Sequence, residues 1–436
     1  MVDTAVAVVP ETLLDTTAPA VDGGEPAVAR VLAEGTTRQD VAARSVALDG
    51  VRAVAALMVL GMHANGLVPD VDAGGAIHFL RYHLWTGVDL FFALSGFLIA
   101  GPFLRALATG RELPETAAYA VRRAARILPA YWVALSVLLI SLPPDGTTGG
   151  SVLSHYGLAH DWLPGQSRDL YPVAWTLGIE ACFYLLVPLA ALWVRSRVPG
   201  PIPARRLCQG ILVLAAISGL WGVVWGWGFD HVALLRDHSS AHTIISDNVP
   251  AALVLFCPGM LLAVLTMRPA GTPSSRAFGE RLGELWTLPS SVVLVAAAGV
   301  FVAGIGIGGY HGRVAPALRD ALFLPLAAGL TLFVFVRSGR WIARFARILA
   351  PFGVISYGIY LWQWAALEWL QNKGVSITLH HGRVIDFVVA YCVLAAVTLP
   401  LALGSWLAVE RPALRWAASW ARTRVALIRA MRSAEA

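Results

Sequence analysis

Apolar residues run along this chain in blocks of about twenty, with polar residues gathered between them. The blocks lie near 48–68, 80–104, 127–143, 172–194, 208–228, 248–267, 288–308, 318–336, 350–370 and 385–408. A helix rises about 1.5 Å per residue, so about 20 apolar residues cross the hydrocarbon of a bilayer. The pattern therefore predicts an all-α polytopic membrane bundle of about ten transmembrane helices over 47–410. Residues 1–46 lack a sustained period and also the basic and apolar regions of a signal peptide; they read as a disordered cytoplasmic tail. After the last block, Trp416, Trp420, Leu427 and Ile428 alternate with arginines. That makes 411–436 a basic amphipathic tail suited to a lipid interface.

The few polar residues inside the blocks carry the candidate chemistry. In the first block Asp49, Arg52 and His63 interrupt an otherwise apolar run. Arg52 and His63 are eleven residues apart, close to three whole turns, so both project from one face with roughly 16 Å between them along the axis. Asp49 falls on the same face. An imidazole at mid-depth is costly and commonly faces an internal cavity, although a neighbouring helix could also satisfy it as a core histidine. Asp89 in the second block is expected near the depth of His63, either paired with it or with another polar group. Glu180 is a third acid–base group within a span. Arg123 and Arg126, three residues apart before the third block, share a helix face. They suit lipid headgroups or a clamped phosphate. Trp175 and Tyr171 can be plain interfacial-belt aromatics.

Composition agrees with a membrane class: 57% of residues are hydrophobic and 14% charged, against about 45–50% apolar in soluble domains. The net charge of +6 invites a nucleic-acid reading, which its distribution removes. With the N-terminus in the cytoplasm and the chain alternating, 26 of the 33 basic residues fall on the inner side. That asymmetry follows the positive-inside rule and predicts both termini in the cytoplasm; the membrane expected is the plasma membrane. No nucleic-acid partner is expected. Ten of the eleven histidines lie in or beside outward loops with no recurring ligand spacing, so no metal site is expected. The four cysteines sit in apolar blocks and read as core fillers.

Six stretches in order are similar to the acyltransferase-3 family of integral-membrane O-acyltransferases, which includes acetylases of O-antigen and other cell-surface sugars. They are Arg52 with His63; Gly87-Val88-Asp89-Leu90-Phe91-Phe92 with Ser95-Gly96-Phe97; Arg123 and Arg126 with Pro129-Ala130-Tyr131-Trp132; Trp175-Thr176-Leu177 with Glu180; Ser356-Tyr357-Gly358-Ile359-Tyr360-Leu361; and Glu410-Arg411-Pro412. The resemblance runs from about 46 to 412. It implies acyl-CoA, most simply acetyl-CoA, as a cytoplasmic co-substrate with no bound cofactor. The acceptor it implies is a hydroxyl of an extracytoplasmic carbohydrate, glycolipid or glycosylated small molecule, with membrane lipid as the other partner. Under it Arg52, Arg123, Arg126 and Tyr131 bind the donor, and Trp175 and Tyr357 the acceptor. His63 acts as general base or acyl relay, with Asp89 and Glu180 orienting it or binding the acceptor. Many members carry a histidine where this chain has Gln363, which leaves His63 alone as the base. The competing reading is a proton-coupled transporter or a flippase of a lipid-linked sugar, which buried Arg, His, Asp and Glu also suit. Transporters commonly show repeats and paired broken helices, and the sequence displays neither.

Overall fold

A computed structural model describes residues 38–68, 83–163, 166, 169–231, 249–267, 288–308, 318–337, 340–379 and 383–435. The helices that position the site are α1 (Arg38–Ala64) and α2 (Gly87–Ser95), which passes through a π-helical turn at Gly96–Ala100 into α3 (Gly101–Thr109). Next come α4 (Thr116–Ser141), the short α5 (Gly149–Tyr156), α6 (Trp175–Arg197) and α7 (Ala204–His231). The second half adds α8 (Val249–Leu265), α9 (Ser290–Gly308), α10 (Leu324–Arg337), α11 (Arg340–Val354) and α12 (Ser356–Asn372). Last is α13 (Arg383–Ser405), continued by a π-helical turn into α14 (Arg411–Glu435). The described residues contain no strand, and the chain is a polytopic helical membrane bundle.

Each of the ten expected blocks holds a helix, but length and hydropathy alone admit fewer spans. Among the described residues seven helical runs are long and apolar enough to cross a membrane, or eight if α11 and α12, bent by 59°, form one. The expected sixth and seventh spans are shorter apolar helices, Val249–Leu265 and Ser290–Gly304. The 17 residues of α8 reach about 25 Å, somewhat less than the roughly 30 Å of hydrocarbon. α1 starts at Arg38, ahead of the expected limit at 46; residues 1–37 lie outside those described. The basic tail is a helix continuous with α13 up to Glu435.

Glycines set how closely the helices pack. A Cβ on Gly96 would overlap the Phe256 carbonyl, and one on Gly259 the Ala93 carbonyl, so α2 and α8 cross with backbones touching. Small residues permit such approach where lipid supplies no hydrophobic drive. α11 lies against α1 in the same way, Gly353 on the Asp49 backbone and Gly50 on Ala346. α1 and α2 run antiparallel: Gly87 packs on Ala55, Met58 and Val59, and Leu84 on Gly61. α14 runs back along α4, joined by Arg126–Glu410 at 3.9 Å, Arg424–Glu115 at 3.3 Å and Arg432–Glu112 at 2.6 Å. Glu115 also caps α4, accepting from the backbone of Ala117 and Ala118.

Candidate active site

The three arginines singled out in the sequence converge. Arg52 from α1, Arg123 and Arg126 from α4, Glu180 and Tyr184 from α6, and Tyr357 from α12 line one cavity of about 110 Å³. Room on that scale holds several waters. Ser95 and Leu98 of the α2–α3 span complete the wall near the π-helical turn, and π-bulges are common at functional sites.

Charge inside the cavity is only partly balanced. Arg52 pairs with Asp49, three residues earlier and 3% exposed. Arg126 lies 3.9 Å from Glu410, a buried carboxylate held by the turn after α13, and its guanidinium rests over the Tyr357 ring. Arg123 is sandwiched between the rings of Tyr119 and Tyr184, 5.7 Å from each centroid, and its buried Nε has no hydrogen-bond partner among the described residues. Cation–π contact holds a guanidinium without neutralising it. Glu180 is satisfied from within the site: its Oε1 accepts from the Ser95 hydroxyl at 2.6 Å and the Tyr184 hydroxyl at 2.7 Å. Planar guanidiniums around a pocket of this kind suit phosphate oxygens.

His63 stands outside this cavity. Its Nδ1 lies 3.0 Å from the Val59 carbonyl, and its ring meets the Trp364 ring edge-on at 5.4 Å. A carbonyl only accepts, so in neutral imidazole Nδ1 carries the proton and Nε2 keeps a lone pair. Gln363, fully buried, lies beside it and donates Nε2 to the Tyr360 carbonyl. Neither Asp89 nor Glu180, expected to orient His63 or to bind the acceptor, contacts His63 among the described residues. Asp89 lies on α2 past Gly87, which packs at the level of Ala55 to Val59, so it falls nearer the depth of Arg52 than expected. Its charged neighbours are Asp320 and Arg319. Glu180 is committed to Ser95 and Tyr184. The antiparallel register of α1 and α2, invisible in a count from one loop, accounts for the difference in Asp89.

Two further expected contacts fall elsewhere. Tyr131 is fully buried, stacked on Tyr171 at 6.2 Å, with its hydroxyl donated to the His155 carbonyl at 2.9 Å. It serves packing beneath the 149–163 segment and does not line the cavity. Trp175 packs edge-on against Phe92 at 6.4 Å, one residue short of the cavity wall. Tyr357 does reach the cavity, but beside Arg126, with its hydroxyl on the Ile127 carbonyl at 2.8 Å. Residues that sequence reasoning left without a role include Tyr184, Ser95, Tyr119 and Tyr360. The Glu180–Tyr184 spacing of four, which stacks side chains on one helix face, was the available signal.

A second polar cluster lies in the segment between α4 and α6. His155 and His160, expected as loop residues, are fully buried and stack at 4.2 Å. Asp169 lies 3.3 Å from His155 and Asp161 3.5 Å from His160. Burial, with the neighbouring imidazole, pushes His160 down to about 3 and burial lowers His155 as well. Among the described residues no group of three or more His, Cys, Asp or Glu could hold a metal ion.

The family match covers the cavity-bearing helices. The Acyltransferase domain of the acyltransferase-3 family matches residues 45–407. The peptidoglycan O-acetyltransferase OatA of Listeria monocytogenes is 28% identical over 193 residues, 40% of this chain and 28% of that protein. The exopolysaccharide production protein ExoZ of Rhizobium meliloti is 23% identical over 341 residues, 76% of this chain and 89% of that one. Nodulation protein 10 of Rhizobium leguminosarum bv. viciae is 25% identical over 391 residues, 84% and 92% of the two chains. This chain thus spans little of the first relative's length and most of the other two. No solved structure matches it. With its polytopic helical architecture, the chain belongs to the acyltransferase-3 family of membrane proteins.

Proposed function

We propose that this protein is a membrane O-acyltransferase that moves an acyl group, acetyl in the simplest case, from cytoplasmic acyl-CoA to a hydroxyl on a carbohydrate acceptor outside the membrane. The observation that carries the reading is the convergence of Arg52, Arg123 and Arg126 on one cavity, whose lining residue Tyr360 is one turn of α12 from Trp364, the residue that touches His63. The printed functions of the relatives, O-acetylation of peptidoglycan and production of exopolysaccharide, support a carbohydrate acceptor. Arg52 and His63 are roughly 16 Å apart along α1 by helix rise. A donor anchored by phosphate covers such a gap only with a long arm between phosphate and thioester, which is the build of acyl-CoA.

In the reaction, the lone pair on His63 Nε2 takes the acceptor hydroxyl proton as oxygen attacks the thioester carbon. The C–S bond breaks, and the departing thiolate takes the proton back from the imidazolium. In the relay route Nε2 attacks the thioester carbon first and the C–S bond breaks to release thiolate; the acceptor oxygen then attacks the acyl carbon, the C–N bond breaks to restore neutral imidazole, and the acceptor hydroxyl proton goes to the thiolate. A general base in this role is worth typically about 10²–10⁴-fold. The Val59 carbonyl fixes the tautomer that both routes need.

The test is thiol release by the purified protein in detergent from acetyl-CoA, with and without a carbohydrate acceptor. Acceptor-stimulated thiol release together with an acylated product is the expected result. Movement of acceptor across proteoliposomes without thiol release would overturn the proposal in favour of a transporter.

A further inference from the structure

The arginine cavity and His63 are close but not continuous. On α12, Tyr360 lines the cavity while Trp364, one turn further, touches the His63 ring. On α2, Val88 and Phe91 line the cavity, and Gly87 packs against Val59, the residue whose carbonyl holds His63. Where α12 runs from the cavity toward Trp364, the Tyr360 ring meets the Phe91 ring edge to face at 6.0 Å, and both rings belong to the cavity wall. The core is divided at the same place. One apolar cluster surrounds the cavity, a second surrounds the outer half of α1, and Phe91 packs against both.

The two rings are held differently. The Tyr360 hydroxyl donates to the Val173 carbonyl at 2.8 Å and lies 2.6 Å from the Thr176 hydroxyl, so two contacts pin the hydroxyl end of its ring. Phe91 has no polar anchor and is only half buried. It is the half of the pair free to change rotamer, while Tyr360 is the fixed jamb.

We propose that the Phe91–Tyr360 ring pair is an acyl-selective gate between the arginine cavity and His63, passing a two-carbon acyl group and retarding longer ones. This rests on the reading of the cavity as the donor site. A phosphate anchor at the arginines fixes one end of the donor, so the acyl tip meets the ring pair at a set depth. Each added methylene must then be threaded between a pinned phenol and a swinging phenyl in a closely packed interior. Phe91 and Tyr360 are therefore specificity-determining residues whose size and anchoring set the chain-length profile.

The test compares kcat/KM for acetyl-, butyryl- and hexanoyl-CoA in the purified protein, read as thiol release with one carbohydrate acceptor. The hexanoyl-to-acetyl ratio is taken within each variant, so any misfolded fraction cancels. Wild-type protein is expected to favour acetyl over hexanoyl at least tenfold. Phe91→Ala should raise the hexanoyl-to-acetyl ratio tenfold or more, and Phe91→Leu, a gentler change, should raise it several-fold. Tyr360→Phe, which keeps the ring but frees it, should also raise the ratio. A flat wild-type profile, or an unchanged ratio in active Phe91→Leu and Tyr360→Phe variants, overturns the gate while leaving the donor site standing. Failure of wild-type protein to cleave any acyl-CoA overturns the donor reading and the gate with it.

Discussion

Arg123 is the arginine of the cavity most available to a donor, and its removal gives the sharpest quantitative expectation. Arg52 and Arg126 have carboxylates beside them, Asp49 and Glu410. Arg123 rests on the Tyr119 and Tyr184 rings with no carboxylate paired to it among the described residues, and the rings fix its plane but leave its charge. A hydrogen bond from a charged donor is worth about 1.5–3 kcal/mol. At about 1.4 kcal/mol per factor of ten, Arg123→Ala should raise the KM for acyl-CoA about 10- to 150-fold with kcat less affected. Arg126→Ala should raise it less, because Arg126 already has Glu410 beside it and so has less of its charge free for the donor. Arg123→Lys should fall between wild type and alanine, since an ammonium keeps the charge but neither the fork nor the stacking plane. The assay is thiol release against acyl-CoA concentration in detergent, with thermal unfolding followed in parallel. A KM within threefold of wild type in folded Arg123→Ala, or a larger effect at Arg126, would refute this reasoning and favour lipid headgroups as the partners of the pair.

Three other outcomes follow from particular contacts. Tyr184→Phe removes one of the two hydroxyls on Glu180 and should cost about 1.5–3 kcal/mol, whereas Glu180→Gln, whose amide oxygen still accepts both, should cost less; equal Tm values for Tyr184→Phe and wild type would contradict this. His160 is held near 3 by burial and titrates near 6.5 when unfolded, so the unfolded segment binds the extra proton and stability falls as pH drops from 6.5 towards 3. At pH 5 the loss is about 2 kcal/mol, and hydrogen exchange in 149–163, corrected for intrinsic rate, should accelerate accordingly between pH 7 and 5; unchanged protection would contradict it. Gly259→Val places a side chain into the Ala93 carbonyl and should abolish the monodisperse protein, while Gly222→Val, with open space around it, should be tolerated. Size-exclusion profiles decide between them.

The apolar blocks made the helical membrane class legible, because lipid permits only runs that satisfy their own backbone hydrogen bonds. Arg52, Arg123, Arg126 and Glu180 were legible too, since charge within or beside an apolar span is expensive enough to demand a purpose. What the sequence hid was register. Asp89 was placed by counting from an outward loop, yet the packing of Gly87 on Ala55 to Val59 sets it a turn or more away from His63. Glu410 stood out in its Glu-Arg-Pro context, but its partner Arg126 lies 284 positions earlier, and no local period announces such a pair. The bend between α11 and α12 was hidden because the block at 350–370 takes in only the last turn of α11, while Arg340, Arg344 and Arg347 mark the rest of that helix as a polar inner segment. His155 and His160 read as solvent-facing because they belong to a polar stretch, and only tertiary folding buries them.

The central claim is that His63, beyond the gate and outside the cavity, performs the transfer that the arginines prepare. The direct measurement is acyl transfer by His63→Ala in vesicles at matched levels of inserted protein, alongside acyl-CoA binding by the same variant. The account predicts loss of transfer by about 10²-fold or more, with acyl-CoA binding retained because Arg52, Arg123 and Arg126 do not touch the imidazole. Substantial turnover by well-inserted His63→Ala protein would contradict it.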